Sequence, residues 1–563
     1  MIYHCEDYTC NYWDEGEKLP ERCPQCGRKL LRANEADMTG DDWTALGNTL
    51  WDAEASDKKR MVDCFRKAAY LGSAWGVCNL GICMEQGNGV EADPVQAFWL
   101  YQQAVEMGSL NAVCCLGVCY QYGIGTAPDA EKAAELYCKA AEYGSPRGQM
   151  LLARAFHDGI GVEADAAEAM HWVRAAAYQR YGEGMHRLGV CYAYGDGVEQ
   201  NWEHAVHWFR EAAESGVSAA MTYLGYCYEK GCGVEQSWEQ AFSWYRRGAE
   251  CGNLQSMHNL GCCYEKGRGV EQSWEQAFSW YRRSAECGNP VSMSNLGLCY
   301  KRGYGVEQNW QEAIKWYEQG AQCGNLQSMH NLACCYEHGE GVEQNMTEAI
   351  RWYTAAAEGG NADDMYELGW QYDHGEGVEQ DMKKAICWYE RAAEQNHPAA
   401  MNSLGECYAM GRGVPRDLET AMEWYRRAAE LGEAMADYNM GWHLEQAGKL
   451  SEAYAHYRKA ADGNDDSAWW ALGRFYENGV VVAQDGKEAR RCYETGEKLG
   501  SVKCKMRLAR CKLLGIGGRR EKKAGLDLCR QALELAKESS EKEDYGYEAE
   551  MNLLRRTIAE NES

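Results

Sequence analysis

The sequence predicts an all-α solenoid of about 14 helical hairpins, preceded by a small metal-binding ribbon. Three observations predict this fold: a 36-residue repeat without insertions, a helical packing stripe in each copy, and four closely spaced cysteines before the first copy. The repeat is marked by Gly-x-Gly, which begins at positions 87, 123, 159, 195, 231, 267, 303, 339, 375 and 411.

The first helix of each hairpin is predicted from a stripe that ends at the Gly-x-Gly. One column is Leu in all ten copies, from Leu80 to Leu404, and the next is Gly or Ala. Three positions further on, the residue is aromatic in nine copies. These positions fall on one helical face, and the small residue allows close approach of a neighbour. The first glycine then ends the helix, because glycine readily adopts the left-handed conformation of a C-terminal cap.

The second helix is predicted from a column of Asp, Asn or Ser, six residues after the first glycine. This column runs from Asp93 to Asp417 and supplies side-chain acceptors for the first amides of a new helix. Pro94 at the first helical position fits the same interpretation. Ala, then Trp-Tyr or a near equivalent, then Ala-Ala follow, and such a unit can bury its apolar stripe only against its neighbours.

These residues resemble a known family, the Sel1-like repeats, which are relatives of the tetratricopeptide repeat. The signature is seen in Leu224-Gly-Tyr-Cys-Tyr-Glu-Lys-Gly-Cys-Gly-Val234 and in Ala241-Phe-Ser-Trp-Tyr-Arg-Arg-Gly-Ala-Glu250. Degenerate copies flank the ten regular ones. We therefore predict a ribbon over 1–32, a linker over 33–40, the repeat superhelix over 41–537 and a C-terminal capping helix over 538–563.

The amino-terminal cysteines have the spacing of a metal site. They are Cys5, Cys10, Cys23 and Cys26, and the Cys23-Pro-Gln-Cys26-Gly27 element resembles a zinc knuckle. Four thiolates in a segment too short to form a core suit structural Zn²⁺, with iron in a rubredoxin-like site as the alternative. The four-residue gap after Cys5 departs from the usual spacing of two and leaves His4 as a substitute ligand. A redox Cys-x-x-Cys is a further alternative, but the thioredoxin-type βαβ pattern is absent.

The other 24 cysteines are interpreted first as structural residues, and one column of them is predicted to serve packing. Eight of them occupy the column before the aromatic residue: Cys83, Cys119, Cys191, Cys227, Cys263, Cys299, Cys335 and Cys407. In the secreted, cysteine-rich branch of the family, the resemblance implies a second cysteine column that forms a disulfide within each hairpin. No second column recurs regularly here, since Cys251, Cys287 and Cys323 serve three copies only, and we therefore expect reduced thiols. The start of the chain lacks an apolar signal segment, and we expect a cytoplasmic protein.

Charge and hydropathy argue against two classes of partner. The formal net charge is −27, whereas a nucleic-acid binder needs a clustered positive surface. The longest apolar runs, such as 112–120, are far shorter than the roughly 20 residues that span a bilayer. We therefore expect neither nucleic acid nor membrane as a partner.

Partner binding is predicted on the first helices, which line the concave face in tetratricopeptide-like hairpins. Relative to the repeat Leu, the inward columns are expected at −5, −2, +2, +5 and +6, and their variation favours a protein or peptide partner. The candidate groove residues are His186, Tyr223, His258, Glu265, His330, His338, Tyr366, Trp370 and His374.

Catalysis is not predicted. His258 and Cys262, like His330 and Cys334, stand four residues apart on one helix face, but no orienting group or oxyanion hole accompanies them. Walker, Gly-x-Ser-x-Gly and His-Glu-x-x-His motifs are absent. The predicted function is an interaction scaffold in which the ribbon makes a second contact. The alternatives are a hydrolase, as described for some Sel1-like proteins, and a thiol-based redox or metal sensor.

Overall fold

The computed structural model describes residues 2–5, 13–15, 30–33, 38–51, 55–542 and 548–562, with side chains over 38–51, 57–537 and 551–560. The chain divides into two compact units, Met1–Asn289 and Pro290–Ser563. Each unit is a stack of antiparallel helical hairpins, as the repeat predicts.

The first unit opens with three strands and continues with seven hairpins. The strands form an antiparallel sheet in the order β2-β1-β3. The elements are β1 (Ile2–Cys5), β2 (Trp13–Glu15), β3 (Leu30–Ala33), α1 (Gly40–Thr49), α2 (Ala55–Tyr70), α3 (Ala74–Gln86), α4 (Pro94–Glu106), α5 (Leu110–Tyr122), α6 (Ala130–Glu142), α7 (Pro146–Asp158), α8 (Ala166–Tyr178), α9 (Gly182–Tyr194), α10 (Trp202–Glu214), α11 (Ser218–Lys230), α12 (Trp238–Glu250), α13 (Leu254–Lys266) and α14 (Trp274–Glu286).

The second unit has seven further hairpins and a final helix. The elements are α15 (Pro290–Arg302), α16 (Trp310–Gln322), α17 (Leu326–His338), α18 (Met346–Glu358), α19 (Ala362–His374), α20 (Met382–Glu394), α21 (Pro398–Met410), α22 (Leu418–Glu430), α23 (Ala434–Gln446), α24 (Leu450–Asp462), α25 (Asp466–Asn478), α26 (Gly486–Lys498), α27 (Val502–Leu514), α28 (Lys522–Lys542) and α29 (Glu548–Glu562). In α29, Met551 and Leu554 are buried in a cluster with Met506, Leu513 and Cys529.

The helix ends are those the sequence predicts. All ten residues of the Asp/Asn/Ser column cap second helices, and each accepts a hydrogen bond from an amide of the first turn. All ten first glycines of the Gly-x-Gly pairs have positive φ angles, between 64° and 77°. Local hydrogen bonding therefore sets the hairpin boundaries.

The core of a hairpin is a buried aromatic ring of the second helix packed on the small residue that follows the repeat Leu. Tyr281 is fully buried, and a Cβ added to Gly261 would lie 2.5 Å from its Cε1. The predicted role of the small residue is thus confirmed, and the neighbour it admits is a ring of its own hairpin. All eight cysteines of the predicted packing column are buried.

The second glycine of the Gly-x-Gly has a role that capping alone does not explain. A Cβ at Gly233 would overlap the carbonyl oxygen of Trp202, at the start of the second helix of the preceding hairpin. Gly233 also has a φ of 69°, so any side chain there is strained as well as crowded. The pair of glycines therefore ends one helix and packs the turn onto the previous hairpin.

Candidate functional site

The first helices of successive hairpins contact one another in both units. These contacts join α3 with α5, α5 with α7 and α7 with α9 in the first unit, and α15 with α17, α19 with α21 and α25 with α27 in the second. The first helices therefore lie on the crowded, inner side of each stack, which is the arrangement the groove prediction requires.

The −2 column lies at the seam between neighbouring first helices. The Thr222 hydroxyl is 2.6 Å from Ser256 Oγ in the next hairpin, and Asn439 Nδ2 donates to Asn402 Oδ1 at 3.0 Å. All ten side chains of the column are buried or half-buried. This column joins hairpins to one another, and a contribution to partner binding stays a prediction.

Two histidines of this column are held neutral by burial. His186 packs on Phe209 and Tyr223, with ring centroids 5.9 and 5.3 Å away, and its Nδ1 has no partner among the described residues. Burial lowers its pKa to about 4. His258 is 9% exposed, and burial likewise lowers its pKa to about 4.

The third histidine of the column is paired with a buried acid. His330 Nδ1 lies 2.7 Å from Asp364 Oδ1, and the Asp364 side chain is fully buried. Hydrogen bonds to Asp364 and then to Cys334 raise the pKa of His330 to about 10. In other copies the residue equivalent to Asp364 is small, for example Ala220 beside His186. The pKa of this histidine is therefore raised in the hairpin where it meets a carboxylate and lowered in the two where burial dominates.

The two His–Cys pairs form as the spacing predicts, with 3.5 Å between the imidazole Nε2 and the sulfur in each. Burial raises the pKa of Cys262, and its sulfur lies 3.3 Å from the Tyr281 hydroxyl oxygen. A nucleophilic cysteine needs a lowered pKa, so the environment of Cys262 does not activate it.

The remaining predicted groove residues are tied to nearby groups. Tyr281 donates to Glu265 at 2.6 Å, and Tyr366 stacks on His397 with centroids 5.0 Å apart. Trp370 stacks on His374 at 4.4 Å. His338 and His374 are both exposed, and each has Nδ1 about 3 Å from the carbonyl oxygen four residues earlier.

Exposed aromatic residues on the first helices were not among the predicted groove residues. Tyr194 is 62% exposed at +6 and Tyr226 is 40% exposed at +2. The half-buried Trp202 lies between them, with centroids 6.1 Å from Tyr194 and 6.5 Å from Tyr226. We call these three residues the aromatic row. The signal available in the sequence was an aromatic residue at +6 in α9 and at +2 in α11, in two columns that were predicted to face inward.

The predicted metal ligands lie largely outside the described residues. Cys10, Cys23 and Cys26 are not described, and Cys5 is described only as the last residue of β1. Among the residues that are described, no cluster of three or more His, Cys, Asp or Glu side chains could hold a metal ion. No helix in the same part of the chain has the length and hydropathy needed to cross a bilayer.

The 36-residue repeat length and the hairpin geometry agree with a known family model. Sel1 repeat matches residues 76–109, 112–145, 146–181, 182–217, 218–253, 254–289, 290–325, 326–361, 362–397, 398–433, 434–465, 468–501 and 502–537. The chain belongs to the Sel1 repeat family. These 13 matches begin at α3, so the hairpin of α1 and α2 is present in the structure but outside the match. Solenoids of this family are typical protein-interaction scaffolds.

One solved structure supports the same assignment, and two others are given after it for comparison only. A protective antigen of uropathogenic Escherichia coli with an SLR fold is 30% identical over 76% of this chain and 90% of that chain, with a TM-score of 0.56. A Sel1 repeat protein from Oxalobacter formigenes is 30% identical over 43% of this chain and 96% of that chain, with a TM-score of 0.40. An immunity protein from Pseudomonas aeruginosa is 21% identical over 38% of this chain and 82% of that chain, with a TM-score of 0.28. No curated protein matches this chain significantly.

Proposed function

We propose that this Sel1 repeat protein is a cytoplasmic interaction scaffold that binds a protein or peptide on the inner side of its first helices and catalyses no reaction itself. The observation that carries the proposal is the aromatic row in the first unit. Tyr and Trp are enriched at protein interfaces because they combine a large apolar area with a polar group.

The aromatic row is suited to binding because its members are already positioned. Trp202 occupies the first turn of α10 after the Asn201 cap, and Tyr194 ends α9 just before the capping Gly195. Rigid side chains on capped helices lose little conformational entropy when a partner docks. The variable −5, +2 and +6 side chains of adjoining hairpins would then select the partner.

The test compares two variants of the full chain in affinity capture followed by mass spectrometry. Tyr194→Ala/Tyr226→Ala removes the ends of the row, and Tyr143→Ala is the matched control, because Tyr143 is 68% exposed but follows a second helix. We expect a defined set of partners to be lost with the double variant and kept with the control. Retention by both variants, or equal loss from both, would refute the proposal.

We further propose that the amino-terminal cysteines hold structural zinc and that the ribbon makes a second contact. The sheet register pairs Cys5 with Leu30 and His4 with Trp13, so β1 ends where β2 and β3 begin. Cys10 precedes Trp13 by three residues and Cys26 precedes Leu30 by four. This topology and an all-thiolate donor set support a Zn²⁺ site, in which the ion would supply folding energy to the ribbon.

The zinc proposal is tested by elemental analysis of the purified full chain. We expect one equivalent of zinc, and its loss in Cys23→Ser/Cys26→Ser. Iron in place of zinc, or zinc that persists in this variant, would contradict the assignment.

A further inference from the structure

One hairpin of the first unit lacks the ring that forms the core of its neighbours. Twelve of the fourteen described hairpins bury an aromatic side chain that is at most 2% exposed. These rings belong to Phe65, Tyr101, Tyr137, Phe209, Tyr245, Tyr281, Tyr317, Tyr353, Tyr389, Tyr425, Tyr457 and Tyr493. In α8 the equivalent residue is Val173, and in the terminal hairpin it is Cys529.

A pocket of about 350 Å³ opens beside Val173, between α7, α8 and α9. Its wall includes Ala153, which stands where most hairpins have the glycine that contacts the ring. In the following hairpin that contact is made: a Cβ on Gly189 would lie 2.6 Å from the ring of Phe209. The pocket therefore occupies the place that an aromatic ring fills elsewhere in the stack.

The pocket wall combines apolar side chains with one polar atom that lacks a partner. Met150, Met170 and Val173 supply the apolar part, and methionine sulfur packs favourably against aromatic rings. His186 also lines the pocket, and its buried Nδ1 has no hydrogen-bond partner among the described residues. An imidazole nitrogen of this kind can exchange a hydrogen bond with a hydroxyl group.

Charges at the pocket edge are already paired. Arg187 Nη2 lies 2.9 Å from Asp196, and His157 Nδ1 lies 2.7 Å from Asp158. Arg154 completes a second contact to Asp158, with 3.4 Å between Nε and Oδ2. Because both arginines have carboxylate partners, the edge does not favour an anion such as a phosphate. The volume, near the lower limit for ligand pockets, also suits a single ring.

We propose that this pocket binds a tyrosine side chain of the protein partner, whose ring replaces the one that the hairpin lacks. The inference rests on the proposed scaffold function, since the ring comes from a bound protein. The phenol ring would pack between Met150 and Met170, with its hydroxyl group directed to a pocket histidine, His186 or His157. In several other hairpins a buried tyrosine makes a similar bond, as when Tyr245 donates to Glu229 at 2.8 Å.

The probes are p-cresol and N-acetyl-L-tyrosinamide, titrated into the full chain by ligand-observed NMR and calorimetry. Val173→Tyr fills the pocket with the residue found in most other hairpins, and Ala153→Leu fills it from the opposite wall. Val95→Tyr is the control, because it adds a tyrosine at a site that is 67% exposed. We expect saturable binding to wild type and Val95→Tyr, and at least a tenfold weaker signal with either filling variant. Thermal unfolding verifies that each variant is folded.

The same variants separate this inference from the scaffold proposal. Loss of both probe and partner in Val173→Tyr supports a tyrosine anchor. Absence of probe binding to wild type overturns the inference, as does a partner that Val173→Tyr still captures at wild-type level. The scaffold proposal is refuted by a different result, the retention of every partner by Tyr194→Ala/Tyr226→Ala. The probe titration is independent of that result.

Discussion

Removal of His330 is expected to destabilise the second unit far more than removal of its partner. The Asp364 carboxylate is fully buried, and its Oδ2 has no partner among the described residues, so His330 is the group that neutralises it. Replacing one member of a buried ion pair typically costs about 3–5 kcal/mol, because the other charge stays buried without compensation. We expect His330→Leu to fall in this range at pH 7.

Asp364→Ala should cost less than about 1 kcal/mol, since only the gain from the pair is lost and no charge is left without a partner inside the protein. The first unit already contains this arrangement: Ala220 takes the equivalent position beside His186. The double variant His330→Leu/Asp364→Ala should recover roughly 2–4 kcal/mol relative to His330→Leu.

The assay is urea unfolding of wild type and the three variants, with hydrogen exchange of α17 and α19 peptides to locate the effect. The cost of His330→Leu should shrink toward pH 4, because burial raises the pKa of Asp364 and the acid becomes neutral. Because the pKa of His330 is raised from 6.5 to about 10, its protonation stabilises the wild-type fold fully below about pH 6.5, and this contribution is lost as the pH rises through about 10. Equal and additive costs for the two single variants would refute the reasoning.

Three further predictions test the repeat packing. The pKa of His186 is lowered to about 4, so the folded state loses stability as the pH falls from 6.5 to 4. His186→Phe removes this titration. The difference in melting temperature between pH 7 and pH 4.5 should therefore be smaller in the variant than in wild type. Tyr281→Phe removes the 2.6 Å hydrogen bond to Glu265 and should lower the free energy of unfolding in urea by about 1 kcal/mol. Tyr317→Phe should leave this free energy unchanged, because the Tyr317 hydroxyl has no partner among the described residues. Gly233→Ala places a Cβ at a positive φ and against the carbonyl oxygen of a neighbouring helix, and it should lower the free energy of unfolding by more than about 1 kcal/mol. Gly252→Ala is the control, because φ is positive there but the space around the Cβ is open. Its effect on the free energy of unfolding should be clearly smaller.

Most of the fold was predictable because the deciding interactions are local. A cap residue such as Ser237 bonds to an amide three residues away, and Gly231 relieves strain in its own backbone. Ten aligned copies show these preferences as columns restricted to one or a few residue types. The hairpins, their boundaries and the buried cysteine column followed from the sequence for this reason.

The candidate site was less predictable, because it depends on contacts across hairpins. Column variation placed His330 and Tyr366 among the candidate groove residues, and the structure adds that they contact Asp364 and His397 of the next hairpin. Residues 34 or 31 positions apart meet only after the stack forms. The sequence shows that such positions vary, but not which neighbour each side chain meets.

The sequence by itself thus determined the hairpin, its caps and its stripe, since each arises within about one helical turn or from a strict 36-residue recurrence. Only the tertiary structure decided that Asp364 is buried against a histidine, that Tyr194 and Tyr226 flank Trp202, and that Val173 leaves a pocket. Those outcomes depend on the volumes and charges of side chains from two or three neighbouring hairpins. A single column of the repeat does not show which of these side chains meet.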